Sequence, residues 1–269
     1  MATDVSAVIP TFRRPAQLVE AIQSVLAQER VNVEVFVVDD SPEGSAAAAV
    51  EQLGDPRVKY EKMAVPTGGV PGKVRNSAWP RASGRFIHFF DDDDRMEQGA
   101  YAAMIAELEA HPKVGVVFGR IAPFGDHPPT LAQQTAYFQN AARRARLSYA
   151  LRSRRLMVAN MLFKPTVMVC SSALLRKECV VELEGFDEQI RLVEDVDFYI
   201  RAIRQFDVVF LDRVVLNYRT GAPSIMHGQK DNKGVTIQYT RMFSKYRERH
   251  GGAELTALKL VARAGLWWT

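Results

Sequence analysis

Two short apolar, β-branched runs open the chain, Val5-Ser-Ala-Val-Ile9 and Val33-Glu-Val-Phe-Val-Val38, each ending in polar residues. That pattern predicts parallel strands buried on both faces. Between them Leu18, Ala21, Ile22, Val25 and Leu26 recur at helical spacing behind Pro15, a favourable first-turn residue. A second unit follows: an Ala-rich helix near 45–53, a strand at Val58-Lys-Tyr-Glu61, a Gly/Pro-rich loop at 66–72, a helix through Asn76 and a strand at 85–90. Alternation of this kind predicts an α/β fold, a Rossmann-like, doubly wound and mostly parallel sheet.

Past residue 100 the pattern is less regular. It predicts a helix at 100–110, a strand at 114–118, a loop at 123–134 suited to a lid or acceptor-binding segment, a basic helix over 136–157 and a strand at 166–173. Gly185-Phe-Asp-Glu188 reads as a turn. Glu194-Asp195-Val-Asp197 opens a helix with Val196, Ile200 and Ile203 on its apolar face, and strands at 208–211 and 214–218 precede a Gly/Ser loop holding His227.

A chain of 269 residues, 47% hydrophobic and 25% charged, has material for one generous domain or two small ones. Its net charge of +4 favours anionic ligands weakly and falls short of a nucleic-acid-binding signature. Cys170 and Cys179 show no CxxC or Cys/His spacing and read as small buried residues in a reducing compartment. The start, Met1-Ala-Thr-Asp-Val, lacks a basic n-region, and no run reaches the roughly 18 apolar residues of a membrane span, so a soluble cytoplasmic protein is expected. Two segments qualify that expectation: 141–155, with six arginines and no acid, and the terminus ending in Leu266-Trp-Trp-Thr269. Either can rest peripherally on the anionic inner face of a membrane, or form a solvated helix face and a self-docked terminus.

In doubly wound sheets ligands bind beyond the carboxyl ends of the strands. Three polar clusters lie there: Pro10-Thr11-Phe12-Arg13, Asp39-Asp40-Ser41 and Asp91-Asp92-Asp93-Asp94. Two carboxylates 4 Å apart repel by about 1 kcal/mol in water and by more when partly buried, so the four aspartates call for a positive partner. In an extended segment Asp91 and Asp93 would share one face, about 6.5 Å apart, and could flank a cation. All-oxygen donors suit magnesium, manganese or calcium rather than zinc. The alternative is a solvated acidic turn capping a helix near Glu97. No GxGxxG follows the first strand and no GxxxxGK[ST] occurs, which sets aside dinucleotide-binding and P-loop classes.

Val8-Ile-Pro-Thr-Phe-Arg-Arg-Pro15, Val37-Val-Asp-Asp-Ser41, Arg75-Asn76, Phe90-Asp-Asp-Asp-Asp94, Gly185-Phe-Asp-Glu188 and Glu194-Asp-Val-Asp-Phe198, in that order, resemble glycosyltransferase family 2, inverting enzymes with the GT-A fold. The resemblance covers about residues 5–220. It implies a GT-A domain over 1–225, with a nucleotide-sugar half at 1–98 and an acceptor half at 99–225, followed by a helical extension at 226–269. Pro10, Thr11, Phe12 and Arg13 would line the nucleoside pocket, with Asp39 or Asp40 accepting a hydrogen bond from the base. A carboxylate acceptor suits the imide N–H of uracil, which favours a UDP-sugar donor or a dTDP one, although family enzymes that use GDP-mannose share these motifs. Gly72, Lys73, Arg75 and Asn76 would reach the diphosphate or sugar, although Arg75 could instead pair with the aspartates. Asp93 and Asp91 would hold Mn2+ or Mg2+, with Asp92 and Asp91 near the ribose or the metal's waters and His227 as a third metal ligand or a phosphate contact. Tyr218-Arg219 would face the diphosphate. Asp195 would be the general base of a one-step inversion, with Glu194 beside it. Ser41-Pro42 replaces the family's usual Gly after the paired acids and removes no functional group. The acceptor would be a hydroxyl on a glycan, glycolipid or small metabolite, and 123–164 carries no motif that selects among them. Two alternatives are a sugar-phosphate nucleotidyltransferase, which would need a Gly-rich triphosphate loop absent here, and a non-catalytic nucleotide-binding protein.

Overall fold

The computed structural model describes residues 2–164, 166–221 and 233–264. In chain order its first half runs β1 (Val5–Thr11), α1 (Pro15–Leu26), β2 (Val33–Asp39), α2 (Ala47–Leu53), β3 (Val58–Lys62), α3 (Pro71–Ala78), β4 (Phe86–Phe89), β5 (Arg95–Met96) and α4 (Ala100–Ala110). There follow β6 (Val114–Phe124), α5 (Pro128–Ala150), α6 (Arg154–Phe163), β7 (Ala173–Arg176), α7 (Lys177–Glu182), α8 (Glu194–Gln205), β8 (Asp207–Arg219), α9 (Lys233–His250) and α10 (Gly252–Ala264).

Every residue of β2 is buried, as its uninterrupted apolar run requires of a strand covered on both faces. β2 pairs in parallel with β1, Val5 opposite Val33 through Thr11 opposite Asp39, and β4 flanks β1 on the other side, also parallel. Among the described residues the sheet has eight strands in the order β3-β2-β1-β4-β7-β6-β8-β5. β7 is antiparallel to both neighbours and β5 is antiparallel to β8, while the remaining pairs are parallel. The expected doubly wound, mostly parallel sheet is present, and because β1, β2 and β4 are parallel their carboxyl ends share one edge. Met242, Tyr246, Leu258 and Ala262 of α9 and α10 belong to the same buried cluster as the sheet.

The second half departs from the sequence pattern in four places. The loop expected at 123–134 is mostly regular: β6 runs to Phe124 on a ladder with β8, and α5 starts at Pro128, where proline fits a first turn and the His127 ring accepts the Thr130 N–H. The basic helix is broken, because Arg152 adopts φ 47° and Ser153 caps α6 through the Leu156 N–H. Residues 166–172 form an irregular stretch with a 3-10 turn at Cys170–Ser172, since Ser172 Oγ takes the Val169 N–H that a ladder would have used; the strand begins at Ala173. The strands at 208–211 and 214–218 are one, β8, with a bulge where Gly119 faces Leu211 and Arg120 faces Val214. Both cysteines are buried and unpaired. Among the described residues no helix is long and apolar enough to cross a membrane; Trp267, Trp268 and His227 lie outside them.

Away from the ligand edge, Glu34 ties β1, β2 and β3 to the loop before β4. It accepts from Ser6 Oγ (2.5 Å), Ser83 N–H (2.6 Å), Ser83 Oγ (2.7 Å) and Lys59 Nζ (2.6 Å). Burial raises its proton affinity, but these donors outweigh burial and bring the carboxyl down to about 2. A lowered carboxyl stabilises the fold above its unfolded value, and that contribution is lost as pH falls through the folded value. Urea unfolding of wild type and Glu34→Gln is therefore expected to differ above about pH 5 and to converge toward pH 2. A gap that is independent of pH would refute this assignment.

Candidate active site

At the shared edge Asp40 N–H binds the Thr11 carbonyl (2.9 Å) and Phe90 N–H binds the Val8 carbonyl (3.0 Å), which fixes the strand ends against one another. The aspartates then fold back as a turn, with Asp94 N–H near the Asp91 carbonyl at 3.4 Å. The extended placement of Asp91 and Asp93 on a common face is therefore corrected. Repulsion among the four carboxylates is relieved by two guanidinium groups and a backbone N–H. Asp91 pairs with Arg75 Nη2 (2.6 Å), and Arg14 Nη1 bridges Asp92 (3.1 Å) and Asp93 (2.7 Å). Asp94 takes the Arg219 N–H (3.1 Å), while Arg219 Nε donates to the Asp93 carbonyl (2.8 Å). Thr11 Oγ1 donates to Asp92 (2.7 Å), and Ser171 Oγ accepts the Asp91 N–H (3.0 Å).

Relief is incomplete. Burial raises Asp92 against the pull of Arg14, and burial with the charges of Asp92 and Asp91 pushes Asp93 up to about 6. Asp94, buried and close to Asp91 and Asp93, is raised well above the carboxylate range, and its Oδ2 has no hydrogen-bond partner.

Arg75 links this turn to the start of α8. It is 4% exposed, and its fork spans Asp91 on Nη2 and Glu194 on Nη1 (2.7 Å), over the ring of Phe186. Glu194, Asp195 and Asp197 sit in the first turn of α8, where the helix field favours acids, after a left-handed Val193 (φ 61°) that turns the chain into the helix. Glu194 is buried and raised by burial against Arg75. Asp195 is partly exposed, and among the described residues its carboxylate is bonded only by the Val196 N–H (2.8 Å). Burial, then the charge of Glu194, pushes Asp195 up to about 7 despite Arg75. A carboxyl poised near neutrality with a free oxygen can receive a proton.

The other sequence-predicted residues divide. Thr11 reaches the cluster through Asp92, and Pro10 is half-buried at the end of β1. Phe12 is 45% exposed with the Arg13 guanidinium over its ring, and Arg13, at φ 57°, turns outward to Glu43 (2.6 Å). The arginine that enters the cluster is its neighbour Arg14, which sequence reasoning passed over. Asp39 accepts from Ser41 N–H, Ala46 N–H and Tyr60 OH, and Asp40 from Thr67 and Gly69, so both brace the loops that follow β2 and β3. Lys73 is exposed on α3.

Two expectations of donor contact are corrected. Asn76 donates to the Phe186 carbonyl (2.9 Å) and accepts from Phe186 N–H (3.0 Å) and Trp79 Nε1 (3.2 Å), so its amide holds the Gly185–Glu188 turn. At Gly72 a Cβ would lie 3.0 Å from Phe186 Cβ and 3.3 Å from Glu194 Cγ, so the close approach there is to the protein's own side chains.

Among the described residues no three His, Cys, Asp or Glu side chains form a metal-binding group, and His227 lies outside them. Magnesium-type ions are commonly held by one or two carboxylates with substrate phosphates completing the shell. The all-oxygen donor set and the unpartnered buried oxygen of Asp94 suit an ion of that class at this turn, where Asp91 and Asp93 would have to exchange their arginine partners for it.

Residues 6–182 match the family model described as glycosyl transferase family 2. The chain is similar to the succinoglycan biosynthesis protein ExoO of Rhizobium meliloti, at 37% identity over 40% of this chain and 30% of that protein. It is also similar to a Campylobacter jejuni GalNAc(5)-diNAcBac-PP-undecaprenol beta-1,3-glucosyltransferase, at 33% identity over 42% of this chain and 37% of that protein. Its matches therefore span about a third of these relatives. Among solved structures it resembles Staphylococcus aureus TarS residues 1–349 in complex with UDP-GlcNAc, with TM-score 0.66, 18% identity and coverage of 89% of this chain and 65% of that one. The mannosyltransferase PcManGT of Pyrobaculum calidifontis, in complex with GDP-Man and Mn2+, aligns with TM-score 0.62 and 18% identity over 99% of this chain and 70% of that one. At such identities the likeness is one of fold, and the fold is GT-A.

Proposed function

Because this chain belongs to glycosyl transferase family 2, we propose that it moves a sugar from a UDP-sugar to an acceptor hydroxyl with inversion, assisted by Mn2+ or Mg2+, in the assembly of a glycan, glycolipid or other glycoconjugate. One observation carries this reading: Asp195, with a free oxygen and a proton affinity near neutrality, stands beside the Arg75 bridge that ends at Asp91. Asp195 accepts the acceptor's proton as its oxygen attacks the anomeric carbon, while the sugar-to-phosphate bond breaks on the opposite face. Glu194 acts as a positioning residue, because Arg75 occupies its carboxylate and Gly72 packs against its stem. Asp93 and Asp91 would hold the divalent ion, which stabilises the charge gathering on the departing nucleoside diphosphate. Arg14 and Arg219, already at the turn, supply further positive charge to that edge.

The nucleotide sugars named for the two similar solved structures differ, UDP-GlcNAc in one and GDP-Man in the other. The preference for uracil rests on the Asp39-Asp40 pair at the end of β2. A thermal-shift screen of UDP, GDP and dTDP with and without Mn2+ tests base and ion together. UDP is expected to raise the melting temperature by several degrees only with Mn2+. Equal stabilisation without the ion, or a response to GDP alone, would overturn the corresponding part.

A further inference from the structure

A second recess lies along α5, outside the aspartate turn. It encloses about 410 Å3 between α5 and strands β6 and β8, a volume suited to a small ligand. Arg120 from β6 and Arg143 and Arg146 from α5 line it, with Gln139 and Thr135, above an apolar floor that includes Phe138.

Its charges do not balance. Asp212 is shared by Arg146 (Nη2 at 2.8 Å) and Arg120 (Nε at 3.3 Å), and the buried Arg120 Nε–H still lacks an acceptor in hydrogen-bond geometry. Arg143 is exposed and has no acidic partner among the described residues. Three guanidinium groups against one carboxylate leave a surplus of two positive charges facing one concavity. Guanidinium forks match the paired oxygens of phosphate and carboxylate better than any neutral group. Phe138, 5% exposed, closes the floor of the recess and keeps the guanidinium groups on its polar side. Its ring lies 5.3 Å from that of Tyr218, whose neighbour Arg219 binds Asp94 and the Asp93 carbonyl, so β8 joins the recess to the aspartate turn.

We propose that the α5 recess binds the anionic part, phosphate or carboxylate, of a saccharide acceptor. This rests on the transferase reading above and narrows the acceptor class within it.

The test uses the full chain with Mn2+ and saturating UDP, so that the diphosphate site is filled. Glucose 6-phosphate and glucuronate serve as probes and glucose as the uncharged control, followed by calorimetry and by 15N signals of the arginine side chains at physiological ionic strength. The charged sugars are expected to saturate a site that glucose does not. Arg143→Ala is expected to weaken them about tenfold. Asp212→Asn, which removes the competing carboxylate, is expected to tighten them about threefold, a gain that misfolding cannot imitate. UDP affinity should be unchanged in both variants. Glucose binding as well as the charged sugars, no saturation by either, or an Arg143→Ala variant of unaltered affinity would overturn the proposal. So would capture by phosphatidylglycerol vesicles that glucose 6-phosphate cannot displace, which would make a lipid headgroup the ligand. Failure of UDP to bind would remove the transferase reading while leaving the anion measurement intact.

Discussion

Asp195→Asn is expected to lower kcat by about 10²–10⁴-fold with little change in donor KM, since a positioned general base contributes on that scale and the amide keeps the shape of the carboxylate. In the wild type, kcat/KM should rise with pH to a plateau above about 7, the value to which burial and Glu194 push this carboxyl. The same shift has a stability consequence. A carboxyl raised in the folded state favours folding below its unfolded value and loses that contribution as pH rises through the folded value. Asn carries no proton to lose, so the variant should melt about 2–4 °C above wild type at pH 8 and match it near pH 4. Calorimetry and single-turnover kinetics on one preparation read both effects. A variant that retains wild-type turnover would eliminate Asp195 as the base. A variant that is inactive yet no more stable at high pH would mean that the wild-type Asp195 carboxyl ionises in a well-solvated setting.

Arg75→Met should have the largest effect on stability. The side chain is buried, and its fork joins Asp91 and Glu194, which lie 103 residues apart in sequence, so removing it leaves two carboxylates without a cation beside Asp195. Breaking a buried pair in this way costs about 3–5 kcal/mol. Methionine preserves the volume over Phe186, so the loss reports charge more than a cavity. Glu194, already raised by burial, binds its proton more readily without the guanidinium, and the deficit should shrink as pH falls. Urea unfolding at pH 7.5 and pH 5, compared with wild type, measures it. Arg75→Lys keeps the charge but cannot serve both carboxylates at once, and should lie between the two. If Arg75→Met unfolds like wild type at pH 7.5, the bridge is not what holds the aspartate turn against α8.

Legibility along the chain follows the range of the interactions involved. The first hundred residues read well because β1, α1, β2 and β4 each carry their own periodicity and burial on both faces. The acid pair opening α8 was equally clear, since the apolar face of Val196, Ile200 and Ile203 fixes the helix on its own. Between 123 and 176 the same approach misjudged three elements. There the deciding groups were a strand partner in β8, a left-handed Arg152 and a hydroxyl of Ser172, none of which leaves a periodic trace.

The site divides along the same line. Sequence by itself determined the fold class, the family resemblance and which acids crowd the ligand edge, because strand pattern and residue type are local properties. Only the tertiary structure decided that Arg14 rather than Arg13 faces the aspartates, that Asn76 serves the 185–188 turn, and that Arg75 couples Asp91 to Glu194. Those outcomes depend on backbone angles and on contacts between residues far apart in sequence, where charges pair by distance in space and a single positive φ redirects a side chain.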